Sequence, residues 1–221
     1  MENGPRCGEE YACPASFDMT VITDDPTMRS YGPDWWDRLY RGTVHAPTPR
    51  DVACWHAAAA VVGDGSVVDL GCGEGWFAGY VRGDYLGVDW SDVVIGRARR
   101  RFPNREFAVA DALGFDPGEG RRWDWAVAFE LFEHLPEPTR LLERMRRIAT
   151  AGAIVTLPRG EQGRRVVEAD RRMTRALCGG RTEYHYAIYS EDYMKAIVPD
   201  AEFIDAHPLR IMFVLRFGGD V

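Results

Sequence analysis

Lysine is almost missing from this chain: of 27 basic residues only Lys195 is a lysine, and the rest are arginine. The arginines do not make a polyanion-binding protein, because 34 acids outnumber them and leave a formal charge of −7. With no global positive field, nucleic acid is disfavoured as a partner. Cysteine is scarce and scattered (Cys7, Cys13, Cys54, Cys72, Cys178), odd in number and without a Cys-x-x-Cys pair. That pattern excludes a disulfide framework, suggests no metal site and points to a reducing compartment, the cytoplasm. Long apolar runs are lacking as well. No stretch approaches the roughly 20 residues that span a bilayer, and Met1-Glu-Asn-Gly-Pro-Arg-Cys7 has no charged-then-apolar leader pattern, so no membrane partner is expected. Internal repeats and low-complexity tracts are absent. What is present, 221 residues of which 46% are hydrophobic, suffices for the core of one α/β domain.

Residues 1–30 are rich in Gly, Pro, Asp and Glu without sustained periodicity and read as a flexible N-terminal arm ahead of a single domain, 31–221. Within that domain 31–64 read as covering helices: a short one over Tyr31 to Tyr40, capped near Asp34, and a second after Pro49 through Val52, Ala53 and Trp55. From 65 onward, β-branched runs at 66–70, 85–89, 105–109, 123–129 and 152–157 alternate with amphipathic segments, the pattern of a parallel sheet flanked by helices. The helix after Ser91 puts Val94, Ile95, Ala98 and Phe102 inward and Arg97, Arg99, Arg100 and Arg101 on what reads as a solvated face. Another enters at Pro138 with Leu141, Leu142, Met145 and Ile148 inward. In 158–221, Val166 to Leu177 reads helical, Ser190 caps a helix through Ile197, and 201–206 with 209–217 form an antiparallel hairpin.

The sharpest signal is Val67-Val-Asp-Leu-Gly-Cys-Gly-Glu-Gly75, an apolar strand ending in an acid and running into three glycines. Glycines there let the backbone turn tightly and approach a ligand that a Cβ would push away. A dinucleotide fingerprint needs its third glycine at position 76, which is Trp76, so a nicotinamide oxidoreductase is disfavoured. Twenty residues after Asp69, Asp89 closes Tyr85-Leu-Gly-Val-Asp89, where a carboxylate can accept from both hydroxyls of a ribose. Phe107-Ala-Val-Ala-Asp-Ala112 ends a third strand, and Trp125-Ala-Val-Ala-Phe-Glu-Leu-Phe-Glu-His134 a fourth. Four strand ends then converge on one crevice, where open α/β sheets bind ligands.

In this order the motifs resemble those of class I S-adenosylmethionine-dependent methyltransferases, over roughly residues 31 to 217. The resemblance implies an α/β fold: a Rossmann-like, seven-stranded mixed sheet, mostly parallel with a C-terminal antiparallel hairpin and helices on both faces. It implies S-adenosylmethionine as cofactor, with 65–157 the cofactor-binding half and 158–221 on the acceptor side. The residues it assigns to the cofactor are Asp69, Gly71, Cys72, Gly73, Gly75, Asp89, Trp90 over an adenine face, Asp111, Ala112, Phe129 and Glu130. Arg50, in Pro47-Thr-Pro-Arg, resembles an arginine that precedes the core in ubiquinone-type O-methyltransferases and would pair with the cofactor carboxylate. Tyr31, Trp36 and Tyr40 would either close over the cofactor or pack the added helices.

Methyl transfer to a small-molecule oxygen or nitrogen is therefore expected. His134 and His185 are the candidate bases, His185 lying in the tyrosine-rich Thr182–Tyr189 segment. The fourth strand lacks the Asn/Asp-Pro-Pro-Tyr loop by which amino-methylating DNA enzymes resemble one another. Two alternatives remain: a methyltransferase-like binding protein without catalysis, and a protein or RNA methyltransferase. Nothing in the sequence reads out an oligomeric state.

Overall fold

The computed structural model describes residues 19–21, 32–43, 45–135, 138–159 and 187–218. A three-residue strand, β1 (Met19–Val21), lies inside the N-terminal stretch that reads as a flexible arm and pairs antiparallel with β7 (Ala187–Tyr189). Two helices follow, α1 (Pro33–Gly42) and α2 (Pro49–Val62). Each starts with a proline in its first turn, where the missing N–H is no loss. Asp34 lies inside the first turn of α1 and is not its cap; Gly32 holds that position without a side-chain bond. Thr48 caps α2 in a reciprocal box with Asp51.

The sheet is built from β2 (Val67–Leu70), β3 (Tyr85–Asp89), β4 (Glu106–Val109), β5 (Trp123–Phe129), β6 (Ala149–Pro158), β8 (Glu202–Ile204) and β9 (Arg210–Arg216). Its order is β4-β3-β2-β5-β6-β9-β8; β9 alone runs antiparallel to its neighbours β6 and β8. The expected Rossmann-like mixed sheet with a closing antiparallel hairpin is what the chain forms. β6 begins at Ala149, not Gly152, directly on the end of α4 (Thr139–Ile148). Helix α3 (Asp92–Arg101) is capped by Ser91, and α5 (Glu191–Ile197) by Ser190, as their sequences suggest. The expected helix at Val166 to Leu177 lies outside the described residues.

Side chains alternate between two faces along the strands of this sheet, save at an irregularity in β5 between Trp123 and Trp125. One face packs Val67, Tyr85, Trp125, Val127, Ile154, Met212 and Val214 under α2 and α3. The other packs Val68, Leu70, Val88, Ala126, Ala128, Val155 and Phe213 under α4 and α5, joined by Trp35 and Leu39 of α1. On the α2 face this apolar series breaks at the end where the parallel strands finish: Asp69, Asp89, Thr156 and Arg210 are all buried there. Buried polar groups need partners, so the sheet keeps this end for something other than packing. Among the described residues no helix is long and apolar enough to cross a membrane.

Candidate active site

The turn after β2 is held open by its own backbone. Gly71, Gly73 and Gly75 have φ of 74°, 53° and 71°, a region that L residues enter only with strain. The amides of Gly71 and Cys72 both donate to the Val88 carbonyl, at 2.8 and 3.0 Å, tying the turn to β3. The Asp89 carboxylate accepts from Gly73 N and Ser91 N, each at 3.0 Å. Burial raises Asp89 to about 6 despite those two amides. The Cβ that Gly73 lacks would meet nothing within 4 Å, so the turn presents bare backbone to open space.

That space is a cavity of about 330 Å³. Its near wall is the glycine turn with Asp69 and Cys72, its roof is Trp36 and Tyr40 of α1, and its far wall is Arg50, Asp51 and Cys54 of α2 with Thr156 and Arg210. Phe129, Glu130, Glu133 and His134, at and beyond the tip of β5, complete it. Asp69 Oδ2 accepts from the Tyr85 hydroxyl at 2.6 Å, while its buried Oδ1 has no hydrogen-bond partner. Burial pushes the Asp69 carboxyl up to about 7, with the Tyr85 bond pulling the other way. The Arg50 Nε is buried and unpartnered too. A hollow over bare glycine backbone, an orphaned carboxylate oxygen and an orphaned guanidinium nitrogen suit a ligand that carries both an ammonium and a carboxylate.

The far wall is a charge network. Glu130 Oε2 lies 2.9 Å from Arg210 Nη2, Asp51 is 3.9 Å from the same guanidinium, and the Thr156 hydroxyl donates to Glu130 Oε1 at 3.1 Å. Burial raises Glu130 to about 7, with Arg210 and Thr156 lowering it. Glu130 is the one non-glycine residue among those described with positive φ, at 53°.

Of the residues the sequence singles out, the structure gathers Arg50, Asp69, Gly71, Cys72, Gly73, Phe129, Glu130 and His134 around this cavity. Asp89 and Gly75 stand behind the turn and shape it. Trp90, Asp111 and Ala112 are not on the cavity wall; Asp111 is exposed and accepts from Leu113 N in a local turn. His185 and Tyr31 lie outside the described residues. Trp36 and Tyr40 stack at 5.8 Å, and Trp36 meets His134 edge-on at 5.2 Å, so both serve the roof.

Sequence reasoning missed Arg210, Asp51 and Thr156. An arginine opening an apolar strand reads as a solvated flank, and an aspartate three residues after a threonine reads as a capping box, which Asp51 also is. The arginine face of α3 is solvated only in part: Arg99 and Arg100 are exposed as expected, whereas Arg97 and Arg101 turn to the glycine turn. Arg97 and Arg101 bond the buried Glu74 at 2.9 and 3.0 Å, Arg97 also donates to the Tyr40 and Thr43 carbonyls, and Arg99 donates to the Phe107 carbonyl. The i, i+4 spacing of Arg97 and Arg101, facing an acid inside a glycine turn, was the available signal.

A family model described as Methyltransferase domain matches residues 56–204. The ubiquinone biosynthesis O-methyltransferase of Methylococcus capsulatus is 29% identical over 137 residues, 57% of this chain and 56% of that protein. The trans-aconitate 2-methyltransferase of Methylobacterium nodulans is 30% identical over 118 residues, 51% of this chain and 44% of that protein. The chain thus spans about half the length of the curated relatives it matches. Among solved structures, the DhpI-SAM-HEP complex superposes with a TM-score of 0.65 at 18% identity, covering 87% of this chain and 99% of the other. The plantazolicin methyltransferase BpumL, solved with SAH and a pentazolic desmethylPZN analog, gives 0.60 at 13% identity, covering 87% and 94%. At those identities the likeness is one of fold.

Proposed function

The chain belongs to the methyltransferase domain family, and on that premise we propose that it transfers a methyl group from S-adenosylmethionine to the oxygen or nitrogen of a small-molecule acceptor. One observation carries the reading: the positive-φ turn at Gly71 to Gly75, latched to Asp89 one strand over, opens its bare backbone onto the cavity. A methylsulfonium bound there supplies an electrophilic methyl; this chain supplies position and exclusion of water.

Asp69 Oδ1 is the free acceptor for the donor's ammonium, and Arg50 the guanidinium for its carboxylate. Asp89 holds the turn against which the donor's ribose would lie. Trp36 and Tyr40 cover the site from water. His134, the base that the sequence nominates, lines the same wall. The acidic composition and the aromatic-roofed hollow favour a small acceptor over a macromolecular one.

Calorimetry with S-adenosylhomocysteine on the wild type and on Asp89→Ala tests this. We expect micromolar binding for the wild type and a loss of at least about tenfold, or roughly 1.4 kcal/mol, in the variant. Unchanged affinity in Asp89→Ala, or tight NADH binding with no response to S-adenosylhomocysteine, overturns it.

A further inference from the structure

Strand alternation directs each residue at the tip of β5 to a known side. Phe129 packs on the α2 face and pairs in register with Thr156, so an extended residue 130 would point to the opposite face, under α4 and α5. Glu130 does not. Its φ of 53° breaks the alternation, and its carboxylate reaches Thr156 and Arg210, both on the α2 face, instead. For a residue with a Cβ that conformation is strained, and such strain collects at functional sites. A mere counter-ion for Arg210 needs no such device, since Asp51 already stands 3.9 Å from the same guanidinium.

The neighbouring residue fixes where this carboxylate lies. Leu131 packs its side chain where a Cβ on Gly71 would be, with contacts of 3.0 to 3.3 Å, so Glu130 stands one residue from the glycine turn. Its side chain is 27% exposed, and the cavity is the space it opens on.

We propose that Glu130 is the catalytic carboxylate of this site: it faces the transferring methyl, anchors an acceptor bearing a removable proton (a hydroxyl or an ammonium), and takes that proton. This rests on the methyltransferase reading above. The acceptor's proton passes to a Glu130 oxygen, the acceptor's heteroatom uses its lone pair to bond the methyl carbon, and the carbon–sulfur pair stays with the donor sulfur, which ends as a neutral thioether. Arg210 and Thr156 are positioning residues that aim the carboxylate.

The charged and titratable groups facing Glu130 are Arg210 from β9 and Asp51, Arg50 and Cys54 from α2. Burial pushes the Cys54 thiol up to about 12. Glu133 and His134 share Glu130's own segment.

The test needs no acceptor. Sinefungin carries an amine-bearing carbon where the donor carries its methylsulfonium and otherwise matches S-adenosylhomocysteine at ribose, ammonium and carboxylate. The ratio of the two affinities therefore cancels the titration of Asp69 and Asp89. In the wild type the preference for sinefungin should rise as pH goes from 6 to 8, as Glu130 ionises. At pH 8 Glu130→Gln should lower the preference for sinefungin over S-adenosylhomocysteine by at least about tenfold and flatten its pH dependence. Thr156→Val removes a bond to the ionised form and should move the midpoint of the ratio to higher pH; this arm also stands if Glu130→Gln does not fold. Equal losses for both ligands, an unmoved midpoint in Thr156→Val, or a pH dependence that disappears in His134→Asn instead, overturns the proposal. A wild type that binds neither ligand overturns the methyltransferase reading itself.

Discussion

Gly73 and Gly75 share a left-handed backbone, yet a methyl group added to each meets opposite surroundings. At Gly73 it meets open space; at Gly75 it lands 2.6 Å from the Phe107 ring and 3.0 Å from Ala98 Cβ. Gly73→Ala should therefore fold with a loss of about 1–2 kcal/mol from backbone strain alone and bind S-adenosylhomocysteine at least about tenfold more weakly. Gly75→Ala adds overpacking to the same strain and should lose about 2–5 kcal/mol of stability. Urea unfolding and calorimetry on the pair separate the glycine that serves the ligand from the one that serves the core. Both glycines are legible in the sequence as a turn. Which one faces the hollow is not, because that depends on where β4 and α3 bring Phe107 and Ala98.

At the scale of the element, α3 does more than cover the sheet. Arg97 and Arg101 clasp Glu74 inside the glycine turn, and Arg97 reaches on to the carbonyls of Tyr40 and Thr43 at the end of α1. Trp76 continues the link: Arg101 lies 3.6 Å from its ring centroid, and its Nε1 donates to the His45 carbonyl. One helix thus ties the turn to the roof. Glu74 is 3% exposed, whereas the two arginines keep 20% and 27% of their side chains in solvent, which softens the loss of their partner. Glu74→Ala should cost about 2 kcal/mol, below the range for a fully buried pair, and should weaken S-adenosylhomocysteine binding through a loosened turn. Unchanged thermal unfolding together with unchanged affinity would show that the clasp supports neither. Amphipathic spacing found α3 correctly, yet its arginine face reads as solvated because a helix by itself does not reveal what packs beside it.

For the whole molecule, the buried acids set an unusual dependence of stability on pH. Asp69 and Glu130 are raised to about 7 and Asp89 to about 6, chiefly by burial, from ordinary values of 3.8, 4.5 and 3.8. A raised carboxyl binds its proton more tightly in the folded state, so its contribution is fully present below the unfolded value and is lost as pH rises through the folded one. The ligand-free protein should lose stability as pH climbs from about 4.5 to 7, the reverse of ordinary acid denaturation. Asp124 and Glu191, whose carboxyls are lowered, act below that window. Melting temperatures across that range check the slope, and Asp69→Asn should flatten part of it; a melting temperature that rises with pH contradicts this assignment of charge.

The sequence by itself determined the raw material of the strands, the serine caps of α3 and α5 and the turn: apolar periodicity, prolines at helix starts, and glycines after an acid are local properties that local residues carry. Spacing located Asp69, Gly73 and Asp89, and the family resemblance added Glu130, as a cofactor residue. Only the tertiary structure decided that Arg210, from the far end of the chain, meets Asp51 and Glu130, that Thr156 joins them, and that Trp90 and Asp111 stand off the cavity wall. Those relations come from register between strands distant in sequence and from a backbone that leaves its alternation at one residue, and periodicity encodes neither.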